Sequence, residues 1–394
     1  MSILFISPYL PYPPHRDGTS LILFHLIKNL FQKVEISLLT FKLHTKEEEK
    51  ALLNRFPVKL ETIPYLPQYP NLASYYLSRN HWPWLTTKFY SKKFVQKIKE
   101  VDQNKKFDLI YLHSAFLAHY IPKIKKTPLV FNSIDSLSSW FTQLKGKEKN
   151  PIKRFHFSQE KKKSLWMEKN IYPKTDLCLV VSETDKKNIL KQNRKIKIEA
   201  IPNGIDLKYF KLDPKIKEIP FSLIFTGIMD YPPNVDAVLW FYQSVWLKLR
   251  EKYPKIVWFV VGKNPHPKIK ALAKDPQIKV TGFVKDIRDY LARAQVYICP
   301  LHIATGIQNK ILEAMAMDKA IVATKRSFEG IPAKDKNYLE ANTSSEFIKS
   351  VDLLFRYPEK RKELSQSAHQ YAQGWGWSTT AEIYLKVFNS ILTQ

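Results

Sequence analysis

Residues Pro300–Gly330 read PLHIATGIQNKILEAMAMDKAIVATKRSFEG, and this stretch decides the fold. Val296–Pro300, just before and into it, has the apolar, β-branched look of a buried strand end. A loop centred on Gly306 follows. Gln308–Met317 then has helical periodicity, with Ile307, Ile311, Leu312 and Met315 on the apolar side. Ala320–Thr324 is a second apolar, β-branched run. Strand, glycine loop, helix and strand make a βαβ unit, and such units take ligands beyond the strand C-termini, against the helix N-terminus. Backbone N–H groups around Ile307, Gln308, Asn309 and Lys310 suit a diphosphate. Lys310 adds a point charge. Glu313, one turn on, suits hydrogen bonds from vicinal sugar hydroxyls. The same residues also read as a core helix with a Lys310–Glu313 surface pair, because one glycine loop is a weak signal.

Outward from this stretch the pattern repeats. In the second half, Phe221–Thr226 is a strand ending at Gly227, Asn234–Tyr253 a helix, Ile256–Val261 a strand ending at Gly262, and Ile278–Phe283 another strand. In the first half, Ile3–Ser7 is a strand and Pro8–Gly18 a proline-rich loop ending at Gly18. Thr19–Gln32 is an amphipathic helix with Thr19 as its cap. Val34–Phe41, Val58–Ile63, Phe107–Leu112, Pro128–Asn132 and Leu177–Ser182 read as further strands. Ile198–Phe210 is a hinge, with Pro202-Asn203-Gly204 as a turn signal. Strands alternating with helices predict a doubly wound parallel sheet in each half, hence two similar α/β domains. Ser378–Leu392 is a final amphipathic helix, its apolar side drawn from Ile383, Tyr384, Val387 and Ile391.

Composition narrows the partners. The chain has 394 residues, with 63 Lys and Arg against 36 Asp and Glu, a formal charge of +27. That balance favours anionic partners: nucleic acid, acidic lipid headgroups or phosphorylated substrates. The lysines are dispersed and no nucleic-acid-binding motif occurs, so nucleic acid is not expected; dispersed charge also fits plain compositional bias. Two stretches mix aromatic and basic residues, Leu72–Glu100 and Leu144–Lys174. They suit an acidic membrane interface, and equally surface helices with inward-facing rings. Cys178 and Cys299 sit in apolar runs and imply no disulfide framework, which fits a reducing compartment. Ser2–Ile6 is too short for a signal peptide, and no run approaches a bilayer span.

At this point the motifs resemble a known family. FTGIMDYPPNVDA, VVGKNP, VTGFVKDIRDYLARAQVYICPL and GIQNKILEAMA, with the segments TDLCLVVSETD and IPNGID, are similar to the family 4 glycosyltransferases, which have the GT-B fold. GIQNKILEAMA with PYPP near the N-terminus is especially similar to sugar transferases of bacterial exopolysaccharide clusters. The resemblance implies two Rossmann-like domains facing across a cleft, 1–204 for the acceptor and 205–377 for the donor, with the helix over 378–394 returning to the first. It implies a retaining transfer from a nucleotide-sugar to a glycan or lipid-linked acceptor, with no metal or other cofactor. Apart from the resemblance, the charge of +27, the lack of a spanning run and the aromatic–basic stretch Leu72–Glu100 point to a cytoplasmic protein, peripheral on the inner face of the cell membrane. Consistently, the sequence has no Asp-x-Asp pair and no His/Cys cluster at ligand spacing.

By resemblance, His113, Lys310 and Glu313 are the catalytic candidates. Gly18, Gly227, Asn234, Gly262, Thr305, Gly306, Ile307, Gln308 and Asn309 are the donor-binding ones. Asp135 stands on the acceptor side, or caps the next helix; His113 reads equally as a satisfied histidine at a strand end. Three departures from the family pattern stand out. Of a pair of glutamates spaced as Thr305 and Glu313 are here, only Glu313 is present, so the ribose role stays and the sugar contact is missing. Where an Arg and a Lys hold the diphosphate, this chain has Ile228 and Asn234, which leaves Lys310 as the replacement cation. The family histidine has His113 as its nearest match. A nucleotide-sugar epimerase on the same fold, a nucleic-acid-binding protein and a transferase-like chain that only binds its nucleotide remain the alternative readings.

Overall fold

The computed structural model describes residues 1–66, 75–76, 81–104, 106–333 and 336–393. The chain forms two compact units, Met1–Asn203 with Trp377–Gln394, and Gly204–Gly376. The first holds a seven-stranded sheet of β1 (Ser2–Ser7), β2 (Glu35–Lys42), β3 (Lys59–Pro64), β4 (Leu109–His113), β5 (Leu129–Ile134), β6 (Leu177–Val180) and β7 (Ile198–Ala200). The order is β3-β2-β1-β4-β5-β6-β7, with parallel pairing throughout. The second holds β8 (Ser222–Thr226), β9 (Val257–Val261), β10 (Ile278–Val280), β11 (Val296–Cys299), β12 (Ala320–Ala323) and β13 (Leu339–Glu340), in the order β10-β9-β8-β11-β12-β13 and again parallel. β13 has only two residues, too few to leave a periodic signal in the sequence.

Helices on both faces bury these strands, so they are apolar without alternation. In β1, Ile3, Phe5 and Ile6 are all fully buried. Each sheet reverses its order once, between β1 and β4 and between β8 and β11. In open parallel sheets such switch points leave a crevice beyond the strand C-termini. The Gly306 loop follows β11 directly and therefore lies at the second switch point.

Local chemistry corrects several sequence expectations. Asp17, not Thr19, caps the helix Gly18–Leu30; its carboxylate accepts the Ser20 N–H at 2.8 Å. Ser136, not Asp135, caps Leu137–Lys147, its hydroxyl accepting the Ser139 N–H at 3.3 Å. The helix expected over Asn234–Tyr253 starts earlier, at Pro232, because proline is at home in a first turn. It passes through a π-turn at Tyr242–Trp246 before ending at Lys252.

Several described rings of the stretch Leu72–Glu100 have partners within their own unit. Residues 72–74 and 77–80 lie outside the described residues. In the remainder, Phe94 is fully buried, with Phe41 and Tyr120 at centroid distances of 4.5 and 4.9 Å. Buried Tyr75 donates its hydroxyl to Glu160. Trp84 packs edge-on to Tyr75 at 5.0 Å, Trp82 edge-on to Trp166 at 5.7 Å, and Phe89 stacks on Phe116 at 5.6 Å. The rings expected as inserting tips, Trp82, Trp84 and Phe89, are half-buried against these partners in their own unit.

The helix Trp377–Leu392 packs on the first sheet's unit. Trp377 stacks on His25 at 4.7 Å, and Phe388 meets Tyr111 at 5.6 Å. Its buried stripe is Trp377, Thr380, Ala381, Tyr384, Val387 and Phe388. Ile383 is off that stripe and 37% exposed, contrary to the sequence assignment. Asn132 joins this helix to the sheet: its amide donates to the hydroxyls of Tyr111 (2.8 Å) and Tyr384 (2.9 Å), and its Oδ1 accepts the Ile134 N–H (2.8 Å). Replacing Tyr384 by Phe leaves one buried amide hydrogen without an acceptor. We expect a loss of about 1–3 kcal/mol in urea unfolding, and the side chain's volume excludes a cavity as the cause.

Candidate active site

The strand ends of the second unit meet backbone to backbone. β8 runs into Gly227 and β9 into Gly262, with φ of 156° and 155°. A Cβ on Gly262 would lie 1.6 Å from the Gly227 carbonyl oxygen. No side chain fits there, so the sequence must have glycine at that crossing. On its other side, a Cβ on Gly227 would lie 2.6 Å from Asn234 Nδ2 and 3.2 Å from Lys310 Nζ. Gly227 therefore opens the space in which these two side chains meet.

Lys310 Nζ donates to Asn234 Oδ1 at 2.5 Å, and Asn234 Nδ2 donates to the Ile228 carbonyl at 2.9 Å. The ammonium also sits 4.9 Å from the Phe225 ring centroid. The Gly306 loop is fixed from behind: Gly306 has φ 63°, and a Cβ on Gly330 would lie 2.3 Å from its carbonyl oxygen. Ile307 is buried in the same contact, so its part in ligand binding is confined to backbone. The helix itself spans Asn309–Ala316, shorter than expected at both ends. No side chain caps it. Gln308 turns its amide back to donate to the Thr305 carbonyl at 3.0 Å.

Lys310 and Glu313 are only partly exposed, and the dense protein around their charged ends desolvates both. Burial raises the Glu313 carboxyl to about 7, with the Lys310 ammonium opposing. Burial lowers the Lys310 ammonium, with Cys299 and Glu313 opposing. A cation and a titrating carboxylate, both desolvated, beside uncapped helix amides can hold a diphosphate at one point and a diol one turn away. Gly227, Asn234, Gly262, Thr305, Gly306, Ile307, Gln308, Asn309, Lys310 and Glu313 all lie in the loops and helix starts that follow the C-terminal ends of β8, β9 and β11. His302, three residues beyond the end of β11, was missed in the sequence. Its Nδ1 lies 3.7 Å from Asp236 Oδ2, and its ring meets Trp240 edge-on at 4.5 Å. Its place in the loop between β11 and Gly306 was the available signal.

Gly18, His113 and Asp135 belong to the first unit. His113 is fully buried and held at both nitrogens. Nε2 donates to the Thr19 carbonyl at 3.0 Å, and Nδ1 accepts the Tyr111 hydroxyl at 3.2 Å. The Thr19 carbonyl can only accept, so the proton of the neutral ring is on Nε2 and Nδ1 is left to accept. Burial pushes the imidazole down to about 4, so it is neutral near pH 7. Here it orders the start of the Gly18–Leu30 helix. The Asp135 carbonyl accepts the Ser133 hydroxyl at 2.8 Å. Gly18 faces open space, with nothing within 4 Å of a Cβ. Ser114 and Ile134, at the C-terminal ends of β4 and β5, have φ of 89° and 74°, strained values for residues with side chains.

Two doubly wound parallel sheets, the second with glycine strand ends, a buried lysine and an uncapped helix at its switch point, define the architecture of a GT-B glycosyltransferase. The chain belongs to that family: the model described as Glycosyltransferase Family 4 matches residues 16–209, and Glycosyl transferases group 1 matches residues 220–356. Solved structures agree in fold. HepE from Anabaena, in complex with UDP and glucose, is 17% identical, covers 99% of this chain and 100% of its own, and superposes with a TM-score of 0.69. Sucrose-phosphate synthase from Thermosynechococcus elongatus is 14% identical with a TM-score of 0.73, over 100% of this chain and 99% of its own. WaaG, a glycosyltransferase involved in lipopolysaccharide biosynthesis, is 15% identical with a TM-score of 0.65, covering 98% and 99%. No curated protein matches the sequence.

The two kinds of glycine separate in a simple experiment. Gly262→Ala must push β9 off β8; we expect a loss of about 3 kcal/mol or more in chemical denaturation, at the upper end of overpacking costs. Gly18→Ala should leave stability unchanged or slightly raised, since alanine is the better helix residue by about 1 kcal/mol. A fall in activity for that variant at full stability would assign Gly18 to substrate contact.

Proposed function

We propose that this glycosyltransferase moves a hexose, with retention and without a metal, from a nucleotide-sugar to a glycan or lipid-linked acceptor in exopolysaccharide synthesis. We place it in the cytoplasm, peripheral on the inner face of the cell membrane. The observation that carries the donor assignment is the meeting of Lys310, Asn234 and Gly227 beside the uncapped helix. Asn234 stands where the family resemblance puts a diphosphate-binding lysine. Its amide instead holds the Lys310 ammonium at that place, so the cation comes from a different element. HepE and the pneumococcal O-GlcNAc transferase GtfA, both with UDP and a sugar in their solved complexes, support a nucleotide-sugar donor.

In this reading negative charge grows on the leaving diphosphate as the bond to the anomeric carbon breaks. Lys310 and the amides of the Gly306 loop are in place beforehand, so no reorganisation opposes the step. Glu313 accepts hydrogen bonds from the ribose hydroxyls. Thr305 offers a hydroxyl where a carboxylate would grip the sugar, which leaves that part of the donor held by loop backbone. Asp135 lies on the acceptor side, and His113 keeps the Gly18 helix in register.

Glu313→Ala should weaken binding of a UDP- or GDP-sugar by about 1–3 kcal/mol in calorimetry, as for a lost charged hydrogen bond; unchanged affinity would remove the assignment. The pH dependence has a definite sign. In the free protein the carboxyl is protonated below about 7. Ribose hydroxyls favour its ionised form, so binding releases a proton and affinity rises from about pH 6 to about pH 8, then levels. The nucleotide-sugar diphosphate does not titrate there, and Glu313→Gln should flatten the profile. Product NMR with the anomeric configuration of the donor kept, and turnover unchanged in EDTA, would support retention without a metal; inversion or loss of turnover would refute each in turn.

A further inference from the structure

The helices Leu137–Lys147 and Pro151–Asn170 form a hairpin joined by Glu148, Lys149 and Asn150. Its tip reads KGKEKNPIKRF over 145–155, five basic residues against one acid. All of Pro151–Phe155 is exposed, although the Phe155 ring also meets Tyr76 at a centroid distance of 5.7 Å. Ile152 is 78% exposed, more than any other large apolar residue described, and Phe155 is 54% exposed. The turn at the tip is closed by local hydrogen bonds. Asn150 Oδ1 accepts the N–H groups of Ile152 and Lys153 at 3.0 and 3.2 Å. The lone acid, Glu148, accepts the Asn150 N–H at 2.8 Å, and five basic residues outnumber it at the tip.

We infer that this hairpin tip is the membrane anchor of the protein, seating Ile152 and Phe155 at the headgroup boundary of an anionic bilayer while Lys147, Lys149, Lys153 and Arg154 meet lipid phosphates. It rests on, and localises, the reading of the chain as a peripheral membrane transferase. Two chemistries point to lipid together. Apolar side chains ringed by cations match the boundary between acyl chains and headgroups. The positive potential matches an anionic leaflet, which draws juxtamembrane basic residues. A nucleic acid would match the charge and leave Ile152 in water. Among the described aromatic residues of Leu72–Glu100, Trp82, Trp84 and Phe89 are half-buried against ring partners and so offer less free apolar surface than Ile152.

The test is flotation of the full chain with phosphatidylcholine vesicles, with and without phosphatidylglycerol. Three proteins are compared: wild type, Ile152→Ser with Phe155→Ser, and Lys149→Glu with Lys153→Glu. A fourth, Lys248→Glu with Lys255→Glu, carries the same charge change on exposed lysines of the second unit. We expect wild type to float with the acidic vesicles only, both tip variants to lose about ten-fold or more in partitioning, and the control to keep it. Thermal melting and nucleotide-sugar affinity should stay at wild-type values in all four, since none of these residues lies in the donor site. Equal losses in tip and control variants would overturn the tip assignment and leave membrane binding standing as a bulk charge effect. Wild-type partitioning to neither vesicle would overturn both, with the donor assignment judged separately by the affinity. Loss of self-association or of oligonucleotide binding in the tip variants, with vesicle binding intact, would also overturn it.

Discussion

The donor site depends on a contact between two peptide groups. Gly262 lies so close to the Gly227 carbonyl that any side chain would overlap it. This crossing lets the ends of β8 and β9 lie flush, and the φ values near +155° turn both chains away from the sheet at the same level. Only with that turn is there room above Gly227 for the Asn234 amide and the Lys310 ammonium. Gly306 and Gly330 repeat the device one loop further along. The site is thus set by main-chain packing, which is stiffer than any arrangement of long side chains.

Against that rigid frame the protein holds two charged groups at a cost. Lys310 and Glu313 are each destabilised in their charged forms by burial, and each partly relieves the other. Desolvated charge is poor material for stability. It is good material for a site whose ligand carries a diphosphate and a diol, because a screened charge in water would stabilise them little. The lysine also shows how a role can move between elements. Its side chain, on the second residue of a helix, reaches the place where the resemblance expects a residue following β8.

The first unit is organised differently. Asn132 uses its whole amide internally, tying β5 to Tyr111 on β4 and to Tyr384 on the last helix, and holding Ile134 in a strained backbone. His113 joins the same network through Tyr111. Strain at Ser114 and Ile134, at adjacent strand ends, marks the part of this sheet where geometry overrides local preference, as functional regions do.

The sequence by itself determined the strands, their parallel sense and the two-unit plan. Buried parallel strands must be continuously apolar, and the helices between them must be amphipathic, whatever surrounds them. It also grouped most of the candidate donor residues, since Gly306, Lys310 and Glu313 sit within eight positions on one loop and helix. The tertiary structure alone decided the rest. That Gly227 and Gly262, 35 positions apart, must both be glycine follows from a contact that neither segment reveals. Asp17 rather than Thr19, and Ser136 rather than Asp135, cap their helices because the exact entry of the chain fixes which oxygen reaches an amide. The inward aromatics of Leu72–Glu100 and the exposed Ile152 look alike in one dimension. Which apolar side chain is buried depends on what lies opposite it, and a sequence carries that information only when the partner is a near neighbour in the chain.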